Sequence, residues 1–218
     1  MSNNNKIELK FNVSSFRKIP NPYLRSENLG ETKPEMYVLI CDAKDIPEDI
    51  PMQTNPRMQK TTTSVAKKIQ SSLLNHTERN FYLLNRGILL SAKSVTYNNE
   101  QNIVTVLFED LTVHGNVDGG HTYTIIKNCK DQLERREQYV KIEVLTGVED
   151  MFEQLAGARN TSVQVTDASI AELENRFELI KDAFRNERFF NDINYKQNDI
   201  KRIDVADLLS ILNLFNID

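Results

Sequence analysis

The spacing of apolar residues along the chain changes near residue 149. Before it, segments that alternate with period two or run apolar without interruption are interspersed with helical ones; after it, apolar residues recur every three or four positions throughout. Residues 6–13 place Ile7, Leu9, Phe11 and Val13 on one face, the pattern of a half-buried strand. Residues 36–41 are an unbroken apolar run and predict a buried strand. Pro47 and Pro51 then hold residues 46–51 in an extended path, because each fixes its own φ and keeps its predecessor out of the α region. Thr61-Thr62-Thr63-Ser64, followed by Val65, Ile69, Leu73 and Leu74, predicts an amphipathic helix ending near Asn75, with a hydroxyl as its N-cap. Further strands are expected near 88–95, 103–113 and 139–145, the first reached through a turn at Asn85-Arg86-Gly87 and the second pairing back on it as a hairpin.

Helical spacing governs the rest. Tyr123, Ile126, Cys129 and Leu133 predict a helix over 123–136 whose charged far side is a solvated face. A helix over 149–158 would bury Met151, Phe152, Leu155 and Ala156, and one over 170–186 would bury Leu173, Phe177, Ile180 and Phe184. The last, 203–215, is apolar on more than one face. Such a helix has something to pack against, so the chain is expected to be the N-terminal part of a longer protein, or to meet a partner or a second copy through 203–215. The pattern as a whole predicts an α+β fold, with a small mixed sheet flanked by helices and a helical C-terminal part.

Composition narrows the function. With 218 residues, 39% of them hydrophobic, the chain can bury one core and a satellite. A net charge of -4 argues against a surface that is one large nucleic-acid footprint and leaves room for a local basic groove. The two cysteines, Cys41 and Cys129, have no partner at metal-ligand spacing and read as buried thiols. The apolar runs are too short to span a bilayer and the first residues hold no signal-type apolar region, so a cytoplasmic protein without a membrane partner is expected. Neither Ser-His-Asp, Cys-His nor zinc-ligand spacing is found.

One stretch carries more chemistry than the rest: Val113-His114-Gly115-Asn116-Val117-Asp118-Gly119-Gly120-His121-Thr122. An apolar strand running into two adjacent glycines and then a helix outlines an anion site, since glycine lets the backbone approach a ligand and a helix start adds partial positive charge. His121 or Thr122 could cap that helix. Asp-Gly-Gly is equally an ordinary hairpin turn. Arg57 and Arg86 stand among chain-breaking residues, which suits rigid presentation to a phosphate as well as a surface salt bridge. Asp118 would hold its loop by capping or reach a cation through water, and Asn160 would end its helix or contact a ligand.

Residues 117–122 resemble the "DGQHR" and "DGQQR" boxes of phage-defence proteins, which in turn resemble a box of ParB/sulfiredoxin-like domains that holds nucleotide phosphates. Residues 50–57, with Asn55-Pro56-Arg57, look like that superfamily's earlier Asn-Pro-Arg box, and Arg159-Asn160 sits where an Asn-containing helix end follows. With Asn85-Arg86-Gly87 between them, the order of boxes is similar to that of the abortive-infection phage-resistance (AIPR) family over roughly residues 36–215. The resemblance implies a ParB/sulfiredoxin-like core over 1–148, a helical extension over 149–218, and a nucleotide or phosphate site built from Asn55, Arg57, Asn85, Arg86, Asp118, Gly119, Gly120, His121, Thr122, Arg159 and Asn160. It implies Mg²⁺ carried by a nucleoside triphosphate, with slow hydrolysis as a switch. The chain departs from the pattern at Thr122, where related boxes end in Arg, and at Arg159, where ParB-like helices carry Glu. Loss of the box arginine removes a bidentate fork that Arg57, Arg86 or Arg159 would have to replace. Two other readings stand beside nucleotide binding: a groove for the DNA or RNA backbone, in a nuclease-associated module, and a scaffold without catalysis.

Overall fold

The structure is a computed structural model that describes residues 6–23, 33–56, 59–75, 77–133, 137–160, 171–172, 175–195 and 201–214. It divides into two units, Met1–Thr161 and Ser162–Asp218. Among the described residues, the first holds these strands and α-helices in chain order: β1 (Ile7–Asn12), β2 (Ser15–Ile19), β3 (Glu35–Asp42), α1 (Ser64–Leu74), α2 (Phe81–Leu84), β4 (Ile88–Ala92), β5 (Ser94–Asn98), β6 (Ile103–Phe108), β7 (Gly115–Asp118), α3 (Gly120–Asn128), α4 (Lys130–Leu133), β8 (Tyr139–Thr146) and α5 (Phe152–Asn160). The α+β expectation is met.

Two sheets share the unit. β1, β6 and β5 form an antiparallel three-stranded sheet in the order β1-β6-β5, and the other strands form a mixed five-stranded sheet in the order β2-β3-β8-β4-β7. Within the larger sheet only β4 and β8 run parallel, Leu90 opposite Val144. β4 is buried at every position, which is why Ile88-Leu89-Leu90 reads as a continuous apolar run. Its alternate residues serve two cores. Ile88, Leu90 and Ala92 join Leu39, Ile142 and Val144 beneath α1, α3 and the smaller sheet, whereas Leu89 joins Val117, Leu145 and Val148 beneath Phe152 and Leu155 of α5. Burying a side chain such as Leu90 completely contributes about 1.5–3 kcal/mol, so β4 is a fixed reference for the loops at its ends.

Three expectations are corrected here. The strand expected over 103–113 stops at Phe108, because Asp110 takes the N–H and hydroxyl of Thr112 on its carboxylate and the Val113 and His114 amides on its carbonyl, closing a turn over 110–114. The chain re-enters the sheet only at Gly115, so Val117-Asp118 is strand and not turn. Met151 is 43% exposed and stands outside the buried stripe of α5, since residues 149–151 form a 3-10 turn that rotates it away before the helix proper begins.

The proline segment is lashed to α3 and the start of α4. The Tyr123 hydroxyl accepts the Ile50 N–H at 3.1 Å, Lys127 reaches the Glu48 carbonyl at 2.9 Å, and Lys130 pairs with the Glu48 carboxylate at 2.8 Å. Burial pushes the Tyr123 phenol up to about 12, so it stays a neutral hydroxyl. The helix expected over 61–75 forms as α1, with Thr63 as N-cap accepting the Ala66 N–H at 3.2 Å and Asn75 at its end.

In the second unit, described by itself, α6 (Glu178–Phe184), α7 (Val205–Leu214) and a parallel pair of two-residue strands, β9 (Ile193–Asn194) and β10 (Ile203–Asp204), enclose Phe177, Ile193, Tyr195 and Val205. The single helix expected over 170–186 is broken at residues 175–177, where Asn175 takes a positive φ of 57°. On α7, Ile211, Leu212 and Leu214 face solvent.

Candidate functional site

Three loops distant in sequence meet where β4 begins and β7 ends. β4 and β7 pair antiparallel with a bulge: Leu89 lies opposite Asp118 and Leu90 opposite Asn116, so β7 carries one extra residue, Val117. Bulges re-aim the residues beside them. Here Val117 goes into the core beneath α5 while Asp118 and Gly119 lead over the 85–87 loop.

Gly119 is the N-cap of α3 at φ 79°, and its Cα rests on the Gly87 carbonyl and the Ile88 Cα, where a Cβ would collide. The Asp118 carboxylate accepts the Gly119 N–H at 2.8 Å, which fixes the turn. The first intrahelical bond runs from the Tyr123 N–H to the Gly119 carbonyl. Among the described residues, the N–H groups of Gly120, His121 and Thr122 therefore have no acceptor, the usual condition of a helix start that has no side-chain cap. This overturns the expectation that His121 or Thr122 caps the helix: both lie inside its first turn. The buried Thr122 hydroxyl donates to Asn85 Oδ1 at 3.1 Å instead, and the same oxygen accepts the Gly87 N–H at 2.8 Å. Asn85 thus binds its own loop to α3.

The third loop arrives through buried polar contacts. The Thr54 hydroxyl donates to the Asn116 carbonyl at 2.9 Å, the Asn116 N–H donates to the Pro51 carbonyl at 2.7 Å, and Asn55 Nδ2 donates to Asn116 Oδ1 at 2.6 Å. Asn116 is fully buried, so these bonds form away from water, where leaving one unmade is costly. They carry Asn55 and Gln59 over the start of α3: a Cβ on Gly120 would lie 2.5 Å from Gln59 Nε2 and 2.9 Å from Asn55 Nδ2. Glycine at 120 is what allows two amide side chains to lie across a helix start.

The result is a cleft of about 280 Å³ lined by Asn55, Gln59, Asn85, Arg86, Asp118, Gly119, Gly120, His121, Thr122 and Asn160, with Val65, Ile69 and Leu84 as an apolar side. Eight of the sequence-derived site residues therefore share one hollow with Asn55. Asn160, the last residue of α5, donates to the Val117 and Ala156 carbonyls at 3.1 and 2.8 Å and so ties that helix end to β7. Arg159 is placed elsewhere. It lines an adjoining groove with Arg86, Asp118, Lys141 and Glu143, and pairs with Glu143 at 3.8 Å. Arg57 lies outside the described residues. Gln59, Val65, Ile69 and Leu84 were not anticipated, since the spacing of α1 makes Val65 and Ile69 look like core positions and nothing in the sequence marks α2 as exposed.

Chemically, the cleft offers backbone donors at a helix N-terminus, amide donors, a guanidinium, an imidazole and one carboxylate. Among the described residues there is no group of three or more His, Cys, Asp or Glu side chains able to hold a metal ion, and no helix is long and apolar enough to cross a membrane. A family model described as AIPR protein matches residues 52–217, a span that takes in all three loops of the cleft. No curated protein and no solved structure matches the chain.

Proposed function

The chain belongs to the AIPR family, which points to an abortive-infection, antiphage role, and from that premise we propose that the cleft at the start of α3 binds the phosphates of a nucleotide and that occupancy acts as a switch in the defence response. The observation that carries the reading is the convergence of three loops on N–H groups that lack an acceptor. Gly120, His121 and Thr122 supply backbone donors, Asn55 and Gln59 supply amide donors, and Arg86 supplies the charge. Arg86 takes the place of the box arginine that Thr122 lacks. The likeness to ParB/sulfiredoxin-like domains rests on the sequence boxes and is part of the same proposal, as is a core of that kind.

A divalent cation fits this donor set only as a companion of the ligand. Mg²⁺ is commonly held by one or two carboxylates together with phosphate oxygens and water. Asp118 is the carboxylate that would reach it, supplying one oxygen while the other keeps the Gly119 N–H. Slow hydrolysis, as the timer of the switch, would fall to Asp118 or His121, which can accept a proton from water near the phosphates.

A second reading is favoured by one observation: Arg86 lines both the cleft and the groove containing Lys141 and Arg159, so a nucleic-acid backbone could follow the cations from one to the other. Glu143 in that groove, bonded to Lys141 at 2.8 Å, opposes it. Titration calorimetry with ATP, GTP, CTP and UTP in Mg²⁺, beside a salt series with short DNA and RNA, separates the two. Heat with a nucleotide supports the switch; silence with all four, together with steeply salt-sensitive oligonucleotide binding, would replace it by the groove.

A further inference from the structure

Val65, 41% exposed, and Leu84, 69% exposed, are large aliphatic side chains beside a polar helix start. Single exposed leucines need no explanation, but these two join Ile69 to form one side of the cleft. Ile69, Leu84 and Asn85 also line a second hollow, of about 170 Å³, whose other walls are Lys68, Ser72 and the buried ring of Phe81. One hollow lies at the start of α3 and the other between α1 and α2, and they adjoin along the three residues that line both.

A ligand that suits both ends is anionic at one and flat and apolar, with a polar edge, at the other. Resting on the phosphate reading above, we propose that the hollow between α1 and α2 takes the base of a mononucleotide. Ile69, Phe81 and Leu84 contact the base, and Ser72 and Lys68 meet its polar edge. Asn85 stands at the junction, where the sugar would lie. Apolar contact of this kind is sequence-tolerant, because every base has an apolar face. A duplex keeps its bases stacked and offers phosphates along its backbone, so it would fill the polar hollow and leave the apolar one bare.

The test compares nucleotides with the same charge lacking a base. Calorimetric titrations of the whole chain use the four ribonucleoside triphosphates and inorganic tripolyphosphate, all with Mg²⁺, on wild type, Leu84→Ser and Ser72→Phe. At least one nucleotide is expected to bind roughly tenfold or more tighter than tripolyphosphate, a factor that burial of a modest apolar area supplies. Both variants should erase that difference, and Ser72→Phe, at a residue that does not line the cleft, should leave tripolyphosphate affinity as it was. Leu84 is exposed, so Leu84→Ser should melt as wild type does and decides the matter if Ser72→Phe folds poorly. Equal affinity for nucleotides and tripolyphosphate, unaltered by Leu84→Ser, overturns the base site and leaves the phosphate reading standing. Heat with none of the five overturns the phosphate reading and the base site together.

Discussion

Gly119 lies against the carbonyl of Gly87 so closely that no side chain fits between them, while Gly120, one residue on, has the amide ends of Asn55 and Gln59 as its nearest neighbours. Adjacent glycines thus do different work. The first lets the chain turn at φ 79° and pack on β4's entry; the second keeps the helix start open. Gly119→Ala is expected to destabilise the protein by about 2 kcal/mol or more, from a strained φ and a backbone collision together. Gly120→Val should move the denaturation midpoint far less and abolish nucleotide binding. Equal losses of stability in the two variants, read by urea denaturation, would refute this division of labour.

The buried amide at Asn116 anchors the Asn55 loop, so its removal should loosen the cleft from below. Asn116→Ala removes the Oδ1 that accepts from the Asn55 amide and opens a small hole, and a cost of about 1–3 kcal/mol is expected. Hydrogen exchange should quicken at the Asn55 amide, whose N–H donates to the Met52 carbonyl, and remain slow at Leu90 in the sheet centre. Unchanged exchange at Asn55 would mean that the loop is held by other contacts.

Much of this arrangement could be read from the sequence, and the parts that could not have identifiable causes. Periodicity located β1, β3, β8, α1 and α3 because each buries one face or both in a regular way. The turn at 110–114 escaped notice because Leu111 and Val113 look like strand residues, and what ends the strand is the set of hydrogen bonds around Asp110. Asp118, Gly119 and Gly120 stood out as unusual residues in a row; their separate roles depend on the β-bulge, which is set by pairing with β4 and leaves no local trace. The apolar side of the cleft was invisible for a related reason. Val65 and Ile69 keep the spacing of a core-facing stripe, and only the fold decides which part of that stripe is covered.

The acid limit of stability should be set in part near His114. Its Nδ1 accepts the Glu109 and Asp110 N–H groups at 3.2 and 3.0 Å, which leaves Nε2 to donate to Glu149 at 3.3 Å, with Lys93 at 3.5 Å from the same carboxylate. Burial raises the Glu149 pKa, but its own backbone N–H, His114 and Lys93 outweigh that and hold it below the ordinary 4.5. The unfolded chain then binds the proton more readily than the folded one, so this contribution is present above about pH 4.5 and is lost as pH falls through the lower folded value. Glu149→Gln keeps an acceptor for His114 and removes the charge. The stability gap between wild type and this variant should shrink as pH is lowered from 6 to 3.5, a range chosen as roughly that of carboxylate titration; a constant gap in urea midpoints would reject the assignment.

Arg86 and Arg159 separate the two functional readings, because one lines both hollows and the other only the groove outside the cleft. If phosphates sit at the start of α3, Arg86→Ala should weaken nucleotide binding by about 1.5–3 kcal/mol, the value of a charge-assisted contact once water is displaced. Arg86→Lys should recover only part of it, since an ammonium cannot form the planar fork. Arg159→Ala should leave nucleotide affinity within a factor of two or so of wild type, its charge being spent on Glu143 in a partly exposed pair of small net worth. A nucleic-acid backbone running through both hollows gives another pattern: each variant weakens oligonucleotide binding to a similar degree and each lowers the salt slope by about one unit. Comparable effects of the two substitutions, with slopes falling in step, would move the function from the cleft to the groove.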